Sequence, residues 1–270
     1  MRRSALVAAV LWAAVLCAAA PAPARATDTR VDLELILAVD VSRSMDIDEQ
    51  QLQRDGYVAA ITHPEVVDAI TQGRHGRIAL SYVEWAGPDT QYTVVDWRAI
   101  DGPASARDFA AALAQAPIQR FRGTSISSGL VYVAPQFERN GFEAVRRVID
   151  VSGDGPNNIG MPVMSARDLA MSAGIVINGL PLLIRPTPTY PHVDRYYADC
   201  VIGGPGSFML PVYDMSEFAT AIRRKLILEV SGAEPPSRVV LVADELPVDC
   251  LQGERDRRIF SDPYYPELDK

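Results

Sequence analysis

The residues best suited to chemistry lie near the start of the chain, in Asp40-Val41-Ser42-Arg43-Ser44. One carboxylate and two hydroxyls at alternate positions offer hard oxygen donors, a set that suits Mg2+, Mn2+ or Ca2+ and not a soft metal. Alternate residues of a curled loop can turn toward one point. Taken alone, the same residues would serve equally well as caps of a following helix, because Asp and Ser are ordinary N-cap residues. Two later loops carry related chemistry. Arg120-Phe121-Arg122-Gly123-Thr124-Ser125-Ile126 is rich in hydroxyls and precedes a helical stretch, so Thr124 reads as a donor or as that helix's cap. Val151-Ser152-Gly153-Asp154-Gly155-Pro156 sets one acid between two glycines, which permits close backbone approach at a site and equally signals a tight turn.

The elements that must position these loops follow from periodicity. Leu33 to Val39 is a near-continuous apolar run, the pattern of a strand buried on both faces of a parallel sheet, and it stops on Asp40. A helix from Glu49 to Thr62 follows, then a short one from Pro64 to Thr71 with proline in its first turn. Asp46, Asp48 and Glu49 suit the positive end of the first helix better than a second cation site. Gly76 to Trp85 and Thr90 to Trp97 read as strands joined by the turn Gly87-Pro88-Asp89, an antiparallel hairpin at one edge of the sheet. Ala104 to Ala114 is a helix. Val145 to Ser152 is a strand, Pro162 to Ala173 a helix, Gly174 to Leu183 a buried strand, Ser207 to Val212 a last strand and Met215 to Val230 a terminal helix. Arg185 to Gly206 reads as irregular, either a recognition loop or scaffold over the sheet edge. The whole is α/β: a doubly wound, mostly parallel sheet with an antiparallel edge hairpin and helices on both faces. In such sheets ligands bind just past the carboxyl ends of the strands, where Asp40, Thr124 and Asp154 fall.

Asp40-Val41-Ser42-Arg43-Ser44 after a buried strand resembles the first motif of the von Willebrand factor type A domain, over about residues 31 to 231. The resemblance implies a metal-ion-dependent adhesion site, with Asp40, Ser42 and Ser44 completed by a distant Thr and a distant Asp, matched in order by Thr124 and Asp154. It further implies a divalent cation, Mg2+ first with Mn2+ or Ca2+ as alternatives, whose open position takes an Asp or Glu carboxylate from a protein partner. The pattern is also similar to an exported bacterial subgroup of uncharacterised function (DUF1194-like). The expected function is therefore a metal-dependent protein-binding module and not an enzyme. The alternatives are a metal-dependent hydrolase of an anionic substrate and an envelope scaffold with a structural metal. No Walker loop is present, and no nucleophile has an obvious His or Lys base.

Arg2 and Arg3, the apolar run from Ala5 to Ala20, and Pro21-Ala22-Pro23-Ala24-Arg25-Ala26 read as a signal peptide cleaved after Ala26. That divides the chain into a signal (1–26), a domain (27–231) and an extension (232–270), with a periplasmic or secreted product. Cleavage removes three arginines and no acid, moving the formal charge from −8 to −11. An acidic surface argues against nucleic acid and anionic membrane as partners, and no segment of the mature chain is apolar enough to span a bilayer. Cys200 and Cys250 remain after cleavage, and an oxidising compartment favours a disulfide over two free thiols. The extension carries a strand-like Arg238 to Val242.

Overall fold

The computed structural model describes residues 28–185, 188–233 and 248–260. In chain order the elements are β1 (Thr29–Arg30), β2 (Glu34–Asp40), α1 (Ile47–Ile61), α2 (Pro64–Thr71), β3 (Ile78–Trp85), β4 (Gln91–Ile100), α3 (Pro103–Gln115), α4 (Ile126–Val133), β5 (Phe142–Glu143), β6 (Arg147–Gly153), α5 (Val163–Ser172), β7 (Val176–Pro181), α6 (Val193–Tyr196), α7 (Phe218–Ser231) and α8 (Gln252–Phe260). The main sheet has the order β4-β3-β2-β6-β7; every pair is parallel except β3–β4, and β1 pairs with β5 in a separate two-stranded ladder. This is the expected doubly wound α/β architecture with its antiparallel edge.

The alternation of side chains explains why β2 is apolar without interruption. Leu35, Leu37 and Val39 enter a core built with α1, α2, α3 and α7, while Ile36 and Ala38 enter a second core with α4, α5 and the segment after β7. Each Leu, Ile or Val among them contributes roughly 1.5–3 kcal/mol when withdrawn from water. The first core also contains charge. Lys225 of α7 meets Asp150 of β6 at 2.6 Å and contacts Glu229, whose carboxylate accepts a 3.2 Å bond from Asn178 of β7. Lys225, Asp150 and Glu229 are all buried. Burial and the Asp150 charge push the Glu229 carboxyl up to about 7.

Two expectations are corrected. Ser207 to Val212 forms no regular strand: it runs beside β7 through the parallel bridges Gly179–Met209 and Leu182–Val212. The rung between the two bridges is missing because Pro181 of β7 has no N–H to donate to Leu210 O. The segment from Arg185 to Gly206, read as irregular, contains α6 and a π-helical turn at Tyr197–Val201. Val193, Tyr196, Tyr197, Cys200 and Val201 are buried at helical spacing, a signal that the surrounding prolines masked. Cys200 and Cys250 form a disulfide. The signal peptide and the strand-like Arg238 to Val242 lie outside the described residues. Among the described residues no helix is long and apolar enough to cross a membrane.

Candidate metal centre

β2 and β6 run side by side with Val39 opposite Ser152, so Asp40 and Gly153 leave the sheet together. The Asp40 carboxylate is fully buried at that exit. Its Oδ1 accepts the Ser42 backbone N–H at 2.7 Å, which curls the chain back on itself. The Ser42 and Ser44 hydroxyls are 2.7 Å apart, and the Ser44 hydroxyl donates to Asp154 Oδ1 at 2.7 Å. Four of the five expected residues are therefore linked in one chain of contacts. The fifth, Thr124, lines the same cavity as Ser44 and Asp154, a space of about 320 Å³. Thr124 is not the helix cap. Ser125 caps α4 by accepting from Ser128 N–H, and among the described residues the Thr124 hydroxyl has no hydrogen-bond partner.

The electrostatics are those of an anionic hollow. Burial, then the charge of Asp154, raises the Asp40 carboxyl well above the usual carboxylate range, and burial raises Asp154. Asp40 Oδ2 is buried without a hydrogen-bond partner, as is the Tyr197 hydroxyl. A Cβ on Gly153 would lie 3.0 Å from that Oδ2 and 2.8 Å from the Tyr197 hydroxyl, so glycine is what lets the two strand ends close over the carboxylate. Such an orphaned acceptor costs on the order of 1–3 kcal/mol or more for a charged group, and a hard cation would satisfy it. Among the described residues no group of three or more His, Cys, Asp and Glu side chains is placed to hold a metal, so a cation here would rest on two carboxylates and hydroxyls. The donor set fits a hard divalent ion and excludes a Cys/His zinc site.

Several supporting residues escaped the sequence reading. The Gln50 side chain donates to Ser42 O at 3.1 Å, and Arg120 reaches Arg43 O and Met45 O, holding the first loop from both sides. Phe121 N–H donates to Val41 O at 3.0 Å and Ser125 N–H to Ala86 O at 2.7 Å, which pins the Thr124 loop to the exits of β2 and β3. Asn157 Oδ1 accepts from Ser127 N–H and Asn158 Oδ1 from Thr124 N–H, tying the Asp154 loop to the Thr124 loop. The Asn157-Asn158 pair just beyond Gly153-Asp154-Gly155-Pro156 was the available signal. The acids after Ser44 behave as helix-terminus groups: Asp46 caps α1 in a reciprocal box with Glu49, and Arg185 bridges both at 3.0 and 3.2 Å.

A family model described as "Protein of unknown function (DUF1194)" matches residues 30–234, from β1 to the end of α7 and just beyond. The chain belongs to the DUF1194 family. Solved structures place this DUF1194 chain in the von Willebrand factor type A fold. It is similar to proximal thread matrix protein 1 of the mussel byssus, with a zinc-occupied MIDAS motif (15% identity, TM-score 0.57, 76% of this chain and 49% of that one). It is also similar to a von Willebrand factor type A protein from Catenulispora acidiphila (14%, 0.52, 74% and 43%). A third match is the vWF domain of the type V pili tip protein Mfa5 from Porphyromonas gingivalis (9%, 0.53, 78% and 98%). The DUF1194 chain spans about half the length of the byssus protein. At these identities the likeness is one of fold. No curated protein matches the sequence.

Proposed function

We propose that this DUF1194 protein is an exported, metal-dependent protein-binding module: a divalent cation, Mg2+ first, sits among Asp40, Ser42, Ser44, Thr124 and Asp154 and takes a partner's Asp or Glu carboxylate. The observation that carries the reading is the buried, unpartnered Asp40 Oδ2 in a contact chain that ends on Asp154, which lines the cavity. When bound, the cation supplies an electron-poor coordination position that an anionic oxygen can enter.

The remaining work belongs to the protein. Asp40 and Asp154 supply charge, the hydroxyls supply neutral oxygens, and Gln50, Arg120, Asn157 and Asn158 hold the loops that carry them. Glu49 also lines the cavity, with Asp46 beside it in the α1 cap. Without a cation such a hollow repels a carboxylate, so partner binding should be strictly metal-dependent. The binding reading is favoured over hydrolysis because, among the described residues, no histidine or lysine lines the cavity to serve as a base, and the one basic side chain there, Arg185, is held in ion pairs. The likeness in fold to the vWF domain of a pili tip protein and to a matrix protein with a zinc-occupied MIDAS motif supports it further.

The test is capture of a partner from an envelope extract in Mg2+, in EDTA and with Asp40→Ala. Capture by the metal-loaded native protein alone supports the proposal. Identical capture in all three refutes it.

A further inference from the structure

The loops of the metal centre are buttressed by a segment far away in sequence. Beyond Cys250 the chain enters α8, which lies against the Asp154 loop. Asn157 Nδ2 donates to Glu254 Oε1 at 2.7 Å, and Arg257 Nη1 donates to Asn158 Oδ1 at 3.2 Å. These are the two asparagines that accept from Ser127 N–H and Thr124 N–H, so α8 reaches both cation-facing loops through one intermediate residue each. A third contact reaches the cavity wall: Tyr190 donates to Asp256 Oδ2 at 2.8 Å. Glu254 is buried although charged. A Cβ on Gly253 would sit 2.3 Å from the Asn157 carbonyl oxygen, so only glycine permits the approach. The start of the segment is fixed as well. Cys250 is bonded to Cys200, its carbonyl accepts from the Tyr196 hydroxyl at 3.3 Å, and Val248 N–H donates to Asp199 Oδ2 at 3.0 Å.

We propose that residues 248–260 form a disulfide-anchored positioning strap that sets the cation affinity of the centre. Glu254 and Arg257 are its positioning residues, acting through Asn157 and Asn158 on the Asp154 and Thr124 loops. The proposal rests on the metal-site reading above. Outer contacts of this kind orient the groups that touch an ion, and their loss typically weakens metal affinity by tenfold to a hundredfold.

Three variants separate positioning from plain stabilisation. Glu254→Ala removes the closer of the two acceptors of the Asn157 amide and leaves only Met161 O, at 3.2 Å. Glu254→Gln keeps the acceptor and drops the charge. Gly253→Ala changes no polar group and improves helix propensity, yet its methyl meets the Asn157 carbonyl. Calorimetric titration of Mn2+ into the purified full chain should show affinity falling about tenfold in Glu254→Ala and Gly253→Ala, while Glu254→Gln stays within about twofold of the native protein. Coupling is reciprocal, so Mn2+ must also tighten the strap: hydrogen exchange of the α8 amides should slow on metal addition in the native protein, a readout that needs no variant. Native affinity in all three variants, or α8 exchange indifferent to Mn2+, overturns the strap. Failure of the native protein itself to take up Mn2+ overturns the metal site, a result distinct from the other two.

Discussion

Replacing Asp40 by Asn preserves the shape of the side chain and removes its charge, and the structure assigns opposite consequences to stability and binding. The Asp40 carboxyl is held well above its ordinary value by burial and by Asp154. The native state then keeps its proton to higher pH than the unfolded chain, where the group titrates near 3.9. The native state binds more protons in that window, so the metal-free protein loses stability as pH rises through it. Asn does not titrate. Metal-free Asp40→Asn should therefore be the more stable protein, with a gap that widens as pH rises above the ordinary carboxylate range. Its scale is the cost of a buried unsatisfied group, roughly 1–3 kcal/mol and more for a charged one. A domain of this size shifts its Tm by about 2–4 °C per kcal/mol, so about 2–12 °C. With the cation at a hundred times its Kd the native protein gains about 2.7 kcal/mol. That corresponds to roughly 5–11 °C, and Asp40→Asn gains nothing. Scanning calorimetry in EDTA and in Mg2+ measures both halves. A variant that melts below the native protein in EDTA at the higher pH, or that keeps the Mg2+ shift, refutes the reasoning.

Thr124→Val should weaken Mg2+ binding in titration calorimetry more than it lowers the metal-free stability, because that hydroxyl has no hydrogen-bond partner among the described residues to lose. Lys225→Met strands Asp150 and Glu229 without their cation and should cost about 3–5 kcal/mol in urea unfolding. Glu229 titrates at about 7 against an ordinary 4.5, so it withdraws stability as pH climbs between those values, up to about 3 kcal/mol; Glu229→Gln should flatten the stability profile there. Removing the disulfide as Cys200→Ser/Cys250→Ser frees a loop of sequence separation 50 and should cost about 4 kcal/mol by loop entropy, read as a lowered denaturant midpoint.

The sheet was legible because its strands carry the plainest signals. Leu33 to Val39 is apolar on both faces since both faces are cored, and the hairpin turn Gly87-Pro88-Asp89 separates two β-rich runs. The candidate site was legible for a different reason: Asp40 and Asp154 stand where neighbouring strands end, and the resemblance of Asp40-Val41-Ser42-Arg43-Ser44 to a known motif pointed to Thr124 in the loop before α4. What the sequence did not show was support from afar. Arg120, Gln50, Asn157 and the α8 residues act through long-range contacts that leave no local periodicity. The helix at Val193 was hidden because prolines before it dominate a local reading although its apolar spacing is regular. Ser207 to Val212 misled in the opposite sense, since it runs beside Pro181 of β7, whose missing N–H leaves isolated bridges and not a strand.

The donors of the candidate centre come from three segments, the exit of β2, the loop before α4 and the exit of β6, which meet only when the central strands have paired. An unfolded chain offers a cation no more than scattered acids and hydroxyls. A bound ion would therefore act on escape from the native state and not on the search for it. Its expected kinetic signature is a slower unfolding limb with an unchanged refolding limb, unless the β2–β6 pairing already exists at the barrier. In a protease-rich setting that asymmetry translates cation concentration into the lifetime of the protein.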